Sequence, residues 1–153
     1  MRERVSGTWV GQYRYDPPVT LFPVPFQLML KQTWLGRFSG TVSDGDGGMP
    51  ELGTVSGWVR RGRISFTKLM PVLRVAADTG TLPFHEHAAK SGWAVEADTR
   101  HPPILYEGSL SDDGRRAEGI WRVEAWTLPV LGQLRAFEFP RFSGTWSAQH
   151  AGA

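Results

Sequence analysis

The chain contains no cysteine, which excludes disulfide frameworks, thiolate metal sites and cysteine nucleophiles. It also lacks any apolar run long enough to span a bilayer as a helix, and no signal-like segment precedes the first strand pattern at Val5. A cytoplasmic location is therefore the default expectation. Excess charge is scarce too: 17 basic residues against 15 acidic ones leave +2, too little to name a partner. The local clusters Arg60-Arg61-Gly62-Arg63 and Arg115-Arg116 fall at expected tight turns, where solvated charge is the ordinary explanation. With no basic stripe interleaved with aromatics and no spanning segment, neither nucleic acid nor a membrane is expected as partner.

What is plentiful is turn and strand material. The 153 residues suit one domain with its own core, and they include 18 glycines, 11 prolines and 12% aromatics. Period-two alternation dominates, the mark of strands with one buried face. Over residues 6–15, Trp9, Gly11, Tyr13 and Tyr15 share a face. The same pattern recurs through Phe26, Leu28 and Leu30, then Phe38, Gly40 and Val42, then Val55, Gly57 and Val59, then Ile64 and Phe66. It resumes with Ile104, Tyr106, Gly108 and Leu110, and again with Ala117, Gly119, Trp121 and Val123. A last run over 134–146 carries Phe137, Phe139, Phe142, Gly144 and Trp146, with a bend expected where Pro140 interrupts the ladder. Glycine sits on the inward set of most strands, which suits a sheet coiled tightly enough to close on itself.

The expected fold is all-β: a single antiparallel up-and-down meander barrel of about eight strands, one domain over residues 1–153. In such a meander the connections alternate between ends. Those at Leu35-Gly36, Arg61-Gly62 and Ser111-Asp112-Asp113-Gly114 are short, whereas those over 16–25, 44–52, 71–103 and 127–133 are long. One end is therefore tight and the other is covered by loops. Residues 71–103, between strands five and six, form a long lid or plug insertion, with a helix expected over 84–90 and an extra strand over 93–98.

Two identical strings, Ser6-Gly7-Thr8-Trp9 and Ser143-Gly144-Thr145-Trp146, suggest a seam plugged by paired indoles at the tight end. Toward the looped end the inward parity brings in Tyr13, Tyr15, Asp44, Lys68 and Tyr106, polar groups that need partners if buried. With Phe26, Leu28, Phe66 and Trp121 as apolar wall, they are the candidate ligand-binding residues. Lys68 either pairs with Asp44 or snorkels to the rim, or it fixes the polar head of a ligand. His85 and His87, with His101 further on, invite a metal reading, but imidazoles two apart diverge on a helix, so no metal site is assigned. No nucleophile elbow, phosphate loop or zinc-protease motif is present, and the Asp44-Gly45-Asp46-Gly47-Gly48 stretch lacks the far ligand of a calcium loop. No catalytic residue and no cofactor is named.

Gly7-Thr8-Trp9 opening the first strand, Gly57-Trp58 in the fourth, and Gly119-Ile120-Trp121 late in the chain resemble the calycins, the superfamily of lipocalins, fatty-acid-binding proteins and avidins. The resemblance is nearest to the avidin/streptavidin-like branch, since no helix follows the last strand as in a lipocalin-like chain. It extends to small bacterial barrels without an assigned function that share the Gly-x-Trp rhythm. It implies a β-barrel able to bind a small molecule. Biotin binding does not carry over, because Gly11 stands where an avidin presents asparagine. The leading expectation is non-enzymatic binding of a small apolar or amphipathic molecule in the lumen. The alternative is a side-chain-filled barrel that oligomerises through outward Trp58, Met29 and Val10. A third reading is acid–base chemistry at the barrel mouth.

Overall fold

The computed structural model describes residues 4–19, 21–77 and 80–152. In chain order its elements are β1 (Gly7–Tyr15), β2 (Val24–Gln32), a 3-10 turn (Trp34–Gly36), β3 (Arg37–Asp44), β4 (Gly53–Arg60), β5 (Arg63–Leu69), β6 (Arg74–Ala77), β7 (Gly80–Pro83) and α1 (Phe84–Lys90). They continue with β8 (Ile104–Leu110), β9 (Arg116–Val123), β10 (Trp126–Pro129), β11 (Ala136–Phe139) and β12 (Phe142–Gly152). Eight strands close into an antiparallel barrel in the order β1-β12-β9-β8-β5-β4-β3-β2, a meander sealed by pairing of the first strand with the last. Full closure leaves the barrel itself no open edge, the usual route to edge-to-edge association.

The inward set is the one that alternation predicts. Trp9, Tyr13, Phe26, Leu28, Phe38, Val42, Val55, Ile64, Phe66, Tyr106 and Trp121 all belong to one buried cluster. Inward glycines let the strands coil. A Cβ on Gly119 would lie 1.8 Å from the Glu107 carbonyl oxygen, and one on Gly144 would lie 1.8 Å from that of Arg14. Each clash is with backbone of an adjacent strand, so no rotamer change relieves it.

All four long connections lie at one pole, and two of them carry secondary structure of their own. The insertion between β5 and β8 contains the β6–β7 hairpin and α1, and the connection between β9 and β12 contains the β10–β11 hairpin. Together they bury a second core: Leu73, Phe84, Ala88, Val95 and Leu128, with Phe137, Phe139 and Trp93 packed against it. Phe84 meets Phe137 and Phe139 edge-on at 5.0 and 5.4 Å, and the Leu131 N–H donates to the Ala94 carbonyl at 2.8 Å. The two insertions thus form one cap. The helix over 84–90 falls where its proline start and glycine stop place it.

Four expectations need correction. Residues 93–98 form no strand; Val95 is instead a core contact of the cap. Pro140 does not bend one long strand but separates β11 from β12, which belong to different sheets. Likewise 127–133 is no plain loop, because Trp126–Pro129 pairs with Ala136–Phe139. The fourth correction concerns the indole seam. Because β12 runs on to Gly152, Trp9 pairs with His150 and meets its ring at 5.2 Å, while Trp146 lies opposite Tyr13. The closed pole is sealed by the N-terminal segment: Trp9 Nε1 donates to the Val5 carbonyl, and the Val5 N–H donates to Gln32 Oε1, each at 2.8 Å. No helix among the described residues is long and apolar enough to cross a membrane.

Candidate functional site

The site is assembled by strand parity at the capped pole. Asp44 is the last residue of β3, Lys68 the penultimate residue of β5, and both side chains turn inward past β4 between them. Lys68 Nζ donates to Asp44 Oδ1 at 2.7 Å, with the two side chains 2% and 0% exposed. The other carboxylate oxygen, Oδ2, accepts from the Tyr13 hydroxyl and from the Met49 N–H, each at 3.2 Å. The ammonium also stands 4.8 Å from the centre of the Tyr13 ring, a cation–π contact.

All three tyrosines of the chain gather here. Tyr15 on β1 meets Tyr13 and Trp121 edge-on at 6.0 and 5.1 Å. Tyr106 on β8 stacks on Phe66 at 4.7 Å, and Phe26 closes against both Tyr13 and Tyr106. Trp121 is held by a 3.0 Å hydrogen bond from its Nε1 to the Arg14 carbonyl. Eight of the nine residues singled out from sequence therefore converge. Leu28, opposite Trp9 in the register, belongs to the lower half of the barrel.

Burial dominates the electrostatics. It pushes the phenols of Tyr13, Tyr15 and Tyr106 up, and the Asp44 charge adds to each shift. Burial also pulls Lys68 down from the ordinary lysine value, with Asp44 opposing that pull. His101, in the irregular segment leading into β8, feels the same pair. Burial and the Lys68 charge lower it, while the Pro102 carbonyl and Asp44 work the other way. Its Nδ1 lies 2.7 Å from the Pro102 carbonyl. Sequence reasoning met His101 only as a possible metal ligand, and its nearness to the ion pair has no local signal. The same holds for Arg74, which ties β6 of the cap to Glu51 in the β3–β4 loop.

Donors outnumber acceptors in this cluster. An ammonium has three N–H groups, and among the described residues Lys68 finds one protein acceptor. The Tyr106 hydroxyl, on a residue 2% exposed, finds none among the described residues. The lumen below is filled by side chains. Depressions of about 490, 450 and 350 Å³ lie on the outer wall, each floored by an inward glycine, and none is lined by Lys68 or a tyrosine. His85 and His87 sit on α1, and among the described residues no three metal-ligating side chains come together. No protein-family model matches the chain, and no curated protein or solved structure matches it either.

Proposed function

We propose that this protein is a non-enzymatic binder of a small amphipathic molecule, whose acceptor-bearing head is taken up under the cap by Lys68 and Tyr106. One observation carries the reading: two of the most deeply buried polar groups in the barrel hold donors that meet no acceptor among the described residues. An unsatisfied buried donor costs roughly 1–3 kcal/mol, so a fold that keeps two of them keeps them for something other than stability. A carboxylate or phosphate head carries the acceptors that these donors want. The apolar part of the ligand would lie against Phe26, Trp121, Tyr15 and Phe142 at the mouth, since the lumen below is occupied by Phe66, Trp146 and their neighbours. Entry requires the cap to swing aside.

The eight-stranded meander is consistent with a calycin-like fold, and kinship to the lipocalin or avidin branch belongs to the same proposal. The filled interior favours a second reading, a scaffold barrel that acts through its outer surface. Trp58, Met29 and Val10 are 42%, 57% and 45% exposed there. The two readings separate by thermal shift with alkyl carboxylates, alkyl phosphates, flavins, haem and biotin. The binder reading expects stabilisation that rises with ligand concentration, by about 2.7 kcal/mol at a hundredfold excess over Kd. It also expects Lys68→Ala to abolish the shift for acidic ligands. No shift with any class leaves the scaffold reading.

A further inference from the structure

Three hairpin tips meet at the closed pole, those of β2–β3, β4–β5 and β8–β9. Two of them hold successive residues in the left-handed region: Leu35 and Gly36 at φ 54° and 76°, and Arg61 and Gly62 at φ 51° and 75°. Such positions favour Gly, Asn or Asp, because positive φ crowds a Cβ against the neighbouring carbonyl. Leu35 and Arg61 are the two non-glycine residues with positive φ among those described. Packing does not compensate: Leu35 is 78% exposed and Trp34 beside it 82%. A leucine and a tryptophan held mostly in water at a conformationally unfavourable apex bury little apolar surface inside the fold.

Charge gathers around the same tips. Arg37, Arg60, Arg61, Arg63, Arg115 and Arg116 are exposed there, and none is in an ion pair among the described residues. Facing them are Asp112 and Asp113, the latter engaged by Ser111 Oγ and the Arg115 N–H. The whole chain carries only +2, so this pole concentrates basic charge that the rest lacks. Beside the tips, Arg37 and Trp58 border the outer depression of about 350 Å³, whose lining includes the hydroxyls of Ser56, Ser65 and Thr67.

We propose that the closed pole docks on an anionic phospholipid surface, with Trp34 and Leu35 entering the headgroup layer and the arginines meeting lipid phosphates. Tips at one end of a barrel present themselves together to a flat partner. Tryptophan prefers the membrane interface, and aliphatic Leu35 gains from hydrocarbon but offers no face on which a nucleic-acid base could stack. Each basic residue near such a surface adds roughly fivefold to binding at moderate salt. The sequence already sets the arginine clusters at the tight end; the structure adds the exposed Trp34–Leu35 apex beside them.

Flotation with phosphatidylcholine vesicles, with and without phosphatidylglycerol, tests this. The expected result is binding to the anionic vesicles at low salt, at least tenfold weaker binding to the zwitterionic ones, and release by high salt. Leu35→Asn and Arg61→Asn suit their backbone better than the native residues. Each should keep or raise Tm while weakening vesicle binding severalfold. Full vesicle binding by Leu35→Asn overturns the proposal, and so does a fall in its Tm, which would make the apex part of the fold's own stability. Equal binding to both vesicle types, or preferential capture of a single-stranded oligonucleotide, overturns it as well.

Discussion

Replacing Asp44 by Asn tests the buried pair in a way that its physics makes specific. The substitution keeps shape and removes charge, leaving the Lys68 ammonium 2% exposed with no counterion. The folded protein then has one escape, which is to release the lysine proton. From the ordinary value near 10.4, emptying the ammonium at pH 7 costs about 4.6 kcal/mol, which sets a ceiling on the loss. Burial already lowers Lys68 beside Asp44, so part of that cost is present in the parent, and a loss of about 3 kcal/mol is expected. The pH dependence is the discriminating part. The unfolded variant binds one more proton than the folded one, so its stability rises with pH, by about 1.4 kcal/mol per unit between pH 7 and 9. Urea unfolding followed by tryptophan fluorescence at several pH values reads both quantities. The double variant Asp44→Leu with Lys68→Met, which removes both charges, should return to within about 1 kcal/mol of the parent. A loss under about 1 kcal/mol, or a loss that does not change with pH, refutes the reasoning.

Other expectations follow from the same site and from the coiling of the sheet. All three tyrosines are raised, so absorbance at 295 nm should show Tyr13 and Tyr106 ionising only as the chain unfolds; stability present below pH 10 should fall by up to about 1.4 kcal/mol per unit and per tyrosine beyond it. Gradual titration of Tyr13 or Tyr106 in the folded state would contradict the burial of that cluster. Burial lowers His101, so the unfolded state protonates first as pH falls through about 6.5, and urea midpoints should drop at acidic pH in the parent but less in His101→Gln. Gly119→Ala, which puts a Cβ 1.8 Å from a carbonyl oxygen, should cost about 3 kcal/mol or more in denaturant unfolding. Gly114→Ala, at φ +71° with nothing within 4 Å, should cost only about 1 kcal/mol.

The barrel was legible because closure imposes one inward face on every strand, and alternation from Trp9 to Val123 records that face directly. The cap was only half legible. α1 carries its own start and stop signals, but β10 pairs with β11 across a six-residue connection. Four-residue strands such as these are too short for alternation to stand out. Trp146 was misplaced because β12 continues through small and polar residues, Ser147, Ala148, Gln149 and His150, that carry little hydrophobic pattern. Within the site, parity alone brings Lys68 inward toward Asp44, since both continue runs of buried residues. The unmatched donors and the approach of His101 from the cap depend on tertiary placement. No local spacing encodes them.

Tyr106→Phe offers the most direct test of the claim that the capped pole holds donors awaiting an acceptor. Calorimetric titration with octanoate, alongside the melting temperature of parent and variant, is the measurement. The account predicts a melting temperature equal to or above the parent's, because a hydroxyl without a partner is removed, together with octanoate binding weakened at least tenfold. A clear drop in melting temperature with octanoate binding unchanged would mean that the hydroxyl serves the fold alone, and the proposed site would lose its chemical basis.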